Sequence, residues 1–172
     1  MKFCPHCGAQ LITLPLSGKE RHTCPDNRCG FVHWNNPIPV VAAVVECDDS
    51  VLLVQNVGWP SSWFGLVTGF LESGEMPEQG VKREVSEEVG LEAKVESYIG
   101  MYEFFRKNEL IIAYHLTVTS KILTLDKLEI AKAKWVPTNK VRPWNAGTGH
   151  ALRDWLALKG ISTELTDIEG AN

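Results

Sequence analysis

Short apolar runs separated by polar turns occupy much of the chain. Residues 40–46 ("VVAAVVE") and 51–56 ("VLLVQN") are rich in β-branched side chains and flank the polar stretch "CDDS", which predicts the two strands of a hairpin. Two longer runs, 93–105 and 110–120, flank the polar turn "RKNE" and predict a second pair of strands. The run "AKWVP" at 133–137 predicts a short strand or the end of one.

Two other segments have the apolar periodicity of helices. Residues 77–89 begin with proline, which the first turn of a helix tolerates, and are followed by Gly90, which can end the helix. Residues 148–160 end in a glycine and predict a second helix. The apolar stripes are Val81, Val85 and Val89 in the first helix and Leu152, Trp155 and Leu156 in the second. Strands mixed with two helices predict an α/β sandwich, with helices on both faces of a mixed sheet.

Length and composition limit the domain organisation. With 172 residues, of which 44% are hydrophobic, the chain can form one ordinary domain and a small appendage. We predict a small module at 1–33, a proline-bearing linker at 34–39 and a main domain at 40–172. The net charge of −4 provides no basic footprint, so a nucleic-acid partner is not expected. No apolar run reaches the ~18–20 residues of a membrane-spanning helix, so membrane association is not expected either.

Four of the five cysteines lie in the first thirty residues: Cys4, Cys7, Cys24 and Cys29. The first pair is a C-x2-C knuckle, the second has the wider spacing C-x4-C, and a glycine follows each pair. Four thiolates on two short turns are a ligand set for structural zinc. Unliganded thiols are the alternative, and three histidines could replace a cysteine: His6, His22 and His33. Because the chain begins without an apolar signal region, we expect the reducing cytoplasm, where clustered cysteines usually bind metal.

Carboxylates crowd the first predicted helix. Glu84, Glu87 and Glu88 fall at i, i+3 and i+4, so all three project from one side of the helix. Like charges at this spacing repel one another, and a bound cation would offset that repulsion. Hard oxygen ligands suit Mg²⁺ or Mn²⁺. Arg83 can orient Glu84 through charge-assisted hydrogen bonds.

The segment around this helix carries a known motif. It matches the Nudix box, G-x5-E-x7-R-E-U-x-E-E-x-G-U with U apolar, at every specified position. The matching residues are Gly69, Glu75, Arg83, Glu84, Val85, Glu87, Glu88, Gly90 and Leu91. The chain as a whole resembles the zinc-ribbon branch of the Nudix hydrolases, which includes NADH pyrophosphatases. This resemblance implies the Nudix α/β/α sandwich with a small N-terminal zinc ribbon, and hydrolysis of a nucleoside diphosphate linked to a further group.

The resemblance also implies metal ligands. In this family the last glutamates of the box bind the catalytic ions, which here are Glu84 and Glu88, with Glu87 alongside. In NADH pyrophosphatases the residue before the box glycine contributes a backbone carbonyl, and Thr68 has that place. Glu75 is expected to brace the loop or to reach an ion through water.

One more metal-linked glutamate is expected near the end of the sheet, six residues before a tryptophan. Glu129 lies six residues before Trp135 and is our candidate, with Glu103 and Glu109 as rivals. One carboxylate must accept a proton from the attacking water, and we expect this general base to be Glu87 or Glu129. The predicted catalytic residues are therefore Arg83, Glu87, Glu88 and Glu129.

Substrate contacts are expected from aromatic and basic side chains. Trp34 follows Cys29 by five residues, where NADH pyrophosphatases have a substrate-contacting tyrosine; Phe70 and Arg106 are further candidates. Other aromatic residues near the box are expected mainly to pack: Trp59, Trp63 and Phe64. The array SQPWPFPxS of NADH pyrophosphatases is replaced here by "YEFFRKNE". The expected substrate is thus an adenine nucleotide derivative such as ADP-ribose, FAD or NADH, cleaved to release AMP.

Two other functions compete with hydrolysis. A Nudix module could bind or sense a nucleotide without cleaving it, but the full set of box carboxylates argues against a pure binder. A zinc-ribbon protein that binds nucleic acid is disfavoured by the acidic charge balance, and only the enzymes that remove NAD caps from RNA keep that alternative open. The sequence does not determine the oligomeric state, but relatives with this architecture are often dimers, so a homodimer is one candidate.

Overall fold

A computed structural model describes residues 1–167, which fall into two compact units, one at Met1–Asn36 and one that begins at Pro37. The predicted end of the main domain, at residue 172, lies outside the described residues. The predicted linker 34–39 is divided between the units, and its last two residues already belong to a strand. Ile38 donates its N–H to the carbonyl of Asn108 at 2.8 Å, so sheet pairing begins before the predicted linker ends.

The first unit contains a three-stranded antiparallel sheet in the order β1-β2-β3. Its strands are β1 (Ile12–Leu16), β2 (Lys19–Thr23) and β3 (Val32–His33). One cysteine pair precedes β1, and the other lies in the loop between β2 and β3. Every residue of β1 is exposed, so this sheet encloses little apolar core. A unit of this size with so little apolar burial depends on another source of folding free energy, such as a metal ion.

The described part of the second unit contains six strands, two α-helices and one 3-10 turn. The strands are β4 (Ile38–Cys47), β5 (Ser50–Asn56), β6 (Val67–Phe70), β7 (Lys94–Phe104), β8 (Glu109–Thr117) and β9 (Ile130–Pro137). The helices are α1 (Pro77–Val89) and α2 (Gly149–Leu158), and the 3-10 turn is Phe105–Lys107. The sheet order is β7-β8-β4-β5-β9, with β6 also paired to β4.

The sheet is mixed, as predicted. β4 and β8 pair in parallel, from Ile38 opposite Glu109 to Glu46 opposite Thr117, whereas the other pairs are antiparallel. Both predicted strand pairs are confirmed, since β4 turns directly into β5 and β7 pairs with β8. β4 lies in the middle because residues 41–45 are apolar on both faces, and all five are fully buried.

The two helices cover opposite faces of this sheet. Alternate residues of β4 point to opposite faces: Val41, Ala43 and Val45 share a core with the three valines of α1. Val44 instead shares a core with the Leu152, Trp155 and Leu156 stripe of α2. The α/β/α sandwich predicted from the sequence is therefore confirmed.

Most element bounds agree with the sequence analysis. α1 begins and ends at the predicted residues, and Gly90, with φ of 69°, donates its N–H to Ser86 at the helix end. β9 begins at Ile130, three residues before the predicted strand, and β6 was not predicted because four residues carry little periodicity. Within residues 1–167 the structure has no helix with the length and apolar character needed to cross a membrane.

Candidate active site

An acidic cavity of about 640 Å³ collects most of the predicted site residues. Its lining comes from the end of β5, from β6, from α1 and from the segment before β9: Asn56, Thr68, Gly69, Phe70, Glu72, Arg83, Glu84, Glu87, Glu88, Asp126 and Glu129. Residues far apart in the sequence meet here because both β6 and the segment before β9 contact α1. We call this the acidic cavity below.

Gly69 allows α1 to approach β6 closely. β6 is fixed by pairing with β4, which places Gly69 opposite Val41. A Cβ atom built on Gly69 would lie only 1.8 Å from the carboxyl carbon of Glu84. Any side chain at this position would therefore displace that carboxylate, which explains why the box needs a glycine here.

Glu88 is the most deeply buried carboxylate of the cavity. Only 3% of the Glu88 surface is exposed to solvent, and its Oε2 atom has no hydrogen-bond partner. Burial, followed by the nearby charges of Glu84, Glu129 and Asp126, raises the pKa of Glu88 to about 8. This buried carboxylate oxygen has no partner and is surrounded by other carboxylates. A bound cation would stabilise its charged form.

Glu84 is also buried, but it has a partner. Burial raises its pKa, and the hydrogen bond from Arg83, at 2.7 Å, opposes that rise. Glu87 is different, because its side chain is 60% exposed and accepts a hydrogen bond from Arg83 at 2.9 Å. The predicted acidic ridge thus consists of two buried carboxylates and one at the mouth of the cavity.

Arg83 links α1 to the loop that precedes it. Beyond its bonds to Glu84 and Glu87, it donates to both carboxylate oxygens of Glu75, at 2.7 and 3.2 Å, and to the carbonyl of Phe70 at 3.1 Å. Hydrogen bonding to Glu75 is the first cause of a raised pKa for Arg83. Glu75 also accepts the N–H of Glu72 at 2.7 Å. This is the geometry of a loop brace, one of the two roles expected for Glu75.

The segment between β8 and β9 brings two more carboxylates to the cavity. The N–H groups of Thr124 and Asp126 donate to the carbonyls of Val89 and Glu88, each at 3.0 Å. These bonds attach the segment to the end of α1, so that Asp126 and Glu129 line the cavity. Neither rival to Glu129 lines this cavity: Glu103 lies away from it, and Glu109 lines a second cavity that is rich in aromatic residues.

Sequence reasoning missed three residues of the acidic cavity: Asn56, Glu72 and Asp126. Asn56 ends a predicted strand, and a polar residue at a strand end is a usable signal. Asp126 gave no such signal, because its position follows from the attachment of its segment to α1.

The donor set of the acidic cavity fits Mg²⁺ or Mn²⁺. Both ions prefer carboxylate oxygens and retain positions for water and phosphate oxygens. Within residues 1–167, only the cysteine cluster has three or more His, Cys, Asp or Glu ligand atoms all within 4.8 Å of one another. No three of the described carboxylates of this cavity therefore approach one another as closely as the cysteine thiols do.

The four N-terminal cysteines form a compact thiol cluster. Their Sγ atoms all lie within 4.8 Å of one another, with Cys4 3.6 Å from Cys29 and Cys7 3.5 Å from Cys24. All four are free thiols, and this arrangement is compatible with one tetrahedral zinc ion. The alternative ligands have other partners: the ring of His6 packs on Phe31, and those of His22 and His33 stack on each other.

A second cavity, of about 590 Å³, adjoins the α2 side of the sheet. Five aromatic residues line it: Trp59, Trp63, Phe64, Phe104 and Trp144. Thr68 lines both cavities, so the aromatic cavity neighbours the acidic one. The expectation that Trp59, Trp63 and Phe64 mainly pack is incomplete, because all three also face this open volume.

The predicted substrate contacts are dispersed. Phe70 lines the acidic cavity and is 59% exposed, as a residue that meets substrate must be. Trp34 belongs to the first unit, where the Arg21 guanidinium lies 5.4 Å from the centre of its ring. Arg106 is exposed in the 3-10 turn and lines neither cavity.

Known proteins resemble this chain in sequence and in fold. The family model described as NUDIX domain matches residues 36–156. The protein named NAD-capped RNA hydrolase NudC from Vibrio parahaemolyticus is 28% identical over 97% of this chain and 62% of its own length. Its namesake from Pseudomonas aeruginosa is 30% identical over 95% of this chain and 58% of its own length. The chain thus spans about three fifths of the length of these curated relatives.

A solved structure shares the fold. The crystal structure of a NUDIX hydrolase from Nitrosomonas europaea superposes with a TM-score of 0.78, covering 98% of this chain and 99% of the other, at 22% identity. At this identity the likeness shows the fold alone. The family match, in contrast, extends over most of the chain and includes every residue of the acidic cavity. The chain therefore belongs to the NUDIX family.

Proposed function

We propose that this protein is a metal-dependent pyrophosphohydrolase that cleaves the diphosphate of a nucleoside diphosphate derivative and releases a nucleoside monophosphate. The observation that carries the proposal is Glu88, whose buried oxygen has no partner and faces a cavity shared with Glu84. A purely structural helix gains nothing from two buried carboxylates, whereas a cation site requires them.

Glu84 and Glu88 would hold Mg²⁺ or Mn²⁺, with Glu129 and Asp126 from the facing segment and the backbone carbonyl of Thr68. Such an ion, when bound, neutralises phosphate charge and lowers the pKa of a coordinated water. Arg83 acts as a positioning residue, since it fixes the Glu84 carboxylate and the loop through Glu75. Without Arg83, both groups would be free to turn away from the cavity.

Glu129 is the stronger of the two candidate bases. Glu87 is paired with Arg83 at 2.9 Å, and this ion pair holds its carboxylate. Among residues 1–167 Glu129 forms no ion pair, so one of its carboxylate oxygens can accept a proton from water even when the other contacts the ion. The expected signature of the Glu129→Gln variant is a fall in kcat with little change in KM, whereas Glu87→Gln should keep most of the kcat.

The aromatic cavity suits the nucleoside part of the substrate. Its volume lies within the range of small-molecule sites, and tryptophan rings provide stacking faces for a planar base. Because Thr68 borders both cavities, a nucleoside here would place its diphosphate toward the acidic cavity. An adenine derivative such as ADP-ribose, FAD or NADH stays the proposed substrate, and Trp34 stays a predicted contact.

The proposal is tested by assaying AMP release from ADP-ribose, FAD and NADH with Mg²⁺ or Mn²⁺. Loss of an indirect metal-supporting residue typically costs 10–100-fold, so Glu88→Gln should lower kcat/KM by at least about 100-fold. Glu92→Gln is the matched control, because Glu92 is exposed and lines neither cavity. Equal activity of the two variants would reject the proposed site.

If the protein binds these nucleotides but hydrolyses none of them with either Mg²⁺ or Mn²⁺, the alternative is favoured, namely a Nudix module that senses nucleotides. Calorimetric titration of the same three compounds separates these outcomes, because it detects a complex whether or not cleavage follows. The homodimer is a further prediction, which light scattering coupled to gel filtration checks.

A further inference from the structure

The aromatic cavity carries a charge pattern opposite to that of its acidic neighbour. Four cationic residues line it: Lys107, Lys134, Lys140 and Arg142. Two acidic residues, Glu109 and Asp167, also line it, so cations outnumber anions in a chain whose net charge is −4. This excess of positive charge is local, and the diphosphate alone does not account for it, because the acidic cavity with its ions would hold that group.

These cations are available to a ligand. In residues 1–167 none of the four is in an ion pair with a carboxylate, and all four are exposed. The ammonium of Lys134 lies 3.7 Å from the centre of the Phe64 ring, a cation–π contact that positions it without neutralising it. Asp167 is already engaged, since it accepts a hydrogen bond from Asn145 at 3.1 Å.

The fold aims one of these lysines at the cavity. Lys134 pairs directly with Leu53 of β5, and Leu53 and Val136 both belong to the core on the α2 side of the sheet. Since residues two apart on a strand share a face, Lys134 faces the same side as Val136. Lys140 and Arg142 follow β9 along the chain and line the same cavity.

We propose that the aromatic cavity binds a nucleoside carrying a phosphate ester on its ribose, so that the preferred substrate has a third phosphate besides its diphosphate. This inference rests on the proposed function. The tryptophans supply stacking faces for the base, and the lysines and Arg142 pair with a phosphate dianion, which arginine can bind through two hydrogen bonds.

The matched substrates NADPH and NADH differ only by a ribose 2′-phosphate, and coenzyme A and its dephospho form differ only by a 3′-phosphate. For at least one pair, kcat/KM should be about tenfold higher for the phosphorylated member at low salt, with a smaller ratio at high salt. The double variant Lys134→Gln/Lys140→Gln should bring that ratio close to one. Lys132→Gln is the matched control: Lys132 is an exposed lysine of the same strand that lines neither cavity, and its variant should retain the ratio.

The inference is wrong if neither pair shows a preference, or if the double variant retains it. Failure of the proposed function gives a different result, namely no hydrolysis of any of the four compounds. In that case calorimetric binding of NADPH against NADH still decides the inference, because the phosphate contact does not depend on cleavage. A preference for an RNA 5′ end over every small phosphorylated substrate would also reject it.

Discussion

At the scale of a single residue, Glu88 would couple the proposed metal binding to pH. Its pKa is raised from 4.5 to about 8 by burial and by neighbouring carboxylates. Between these two pH values the folded protein without Mg²⁺ or Mn²⁺ binds one proton more than the unfolded chain. Its free energy of unfolding therefore falls as pH rises through this window, by at most about 1.4 kcal/mol per pH unit.

The first prediction concerns this pH dependence. Urea unfolding of the zinc-loaded protein, free of Mg²⁺ and Mn²⁺, should show stability declining from pH 5 toward pH 8, and Glu88→Gln should flatten the decline. Mn²⁺ competes with the proton for Glu88, so the dissociation constant of Mn²⁺ should fall as pH rises through about 8. Identical pH profiles for wild type and Glu88→Gln would contradict this role.

A second prediction concerns Gly69. Alanine there would place its Cβ against the carboxyl group of Glu84, which must then leave its position beside β6. We expect Gly69→Ala to weaken Mn²⁺ binding by about 10–100-fold, in the range reported for residues that orient metal ligands. Calorimetric titration with Mn²⁺ measures this change.

Gly74→Ala is the control for this experiment. Gly74 has φ of 89° and open space around its missing Cβ, so alanine there should cost stability through backbone strain while Mn²⁺ binding is retained. A Gly69→Ala variant with normal Mn²⁺ affinity would show that Glu84 is not held where the structure places it.

At the scale of elements, the site depends on how the segment before β9 is attached to α1. The segment donates two backbone hydrogen bonds to the end of α1. In addition, its residues Leu123 and Leu125 pack against the core that α1 shares with the sheet. Gly90 makes this attachment possible, because a Cβ there would lie 2.7 Å from the Cβ of Thr124.

Gly90→Ala should accordingly weaken both the fold and the site. The left-handed backbone and the contact with Thr124 together should cost about 1–3 kcal/mol of unfolding free energy. Mn²⁺ affinity should fall as well, since Asp126 and Glu129 move with the segment. Gly160→Ala, after α2, also has positive φ but open space around it, so it should lose stability and retain Mn²⁺ affinity. Equal Mn²⁺ affinity in the two variants would count against the attachment.

The elements also show what could be predicted from the sequence. α1 was predictable to the residue because proline, glycine and the valine row all indicate the same bounds. β6 and Asp126 were not, since a four-residue strand has no measurable period and Asp126 reaches the cavity only through a long-range attachment. The sequence likewise identified the glutamates as one acidic group, but which of them are buried depends on the packing of β6 against α1.

At the scale of the whole molecule, the chain consists of two units with separate sheets. The first unit has little apolar core, so its thiol cluster should carry its stability. The two proposed metal sites differ in ligand chemistry, with sulfur in one and oxygen in the other, which should let the two ions be removed separately.

A zinc-selective chelator should therefore remove one zinc ion per chain and unfold the first unit. Backbone amides of β1 and β2 should lose protection from hydrogen exchange, whereas those of β4 and β5 should keep it. Cys7→Ser should reproduce this pattern without chelator, and Cys47→Ser, a change to the fifth cysteine, should keep its zinc. Full zinc content in the Cys7→Ser variant would contradict the four-cysteine site.

The acidic cavity is best tested by locating the ion itself. Crystals soaked with Mn²⁺ and measured above and below the manganese absorption edge should show an anomalous peak in contact with the carboxylates of Glu84 and Glu88. The peak should be absent from Glu88→Gln crystals soaked in the same way. No manganese peak in the wild-type cavity, or a peak that persists unchanged in the variant, would contradict a cation site built on these two side chains.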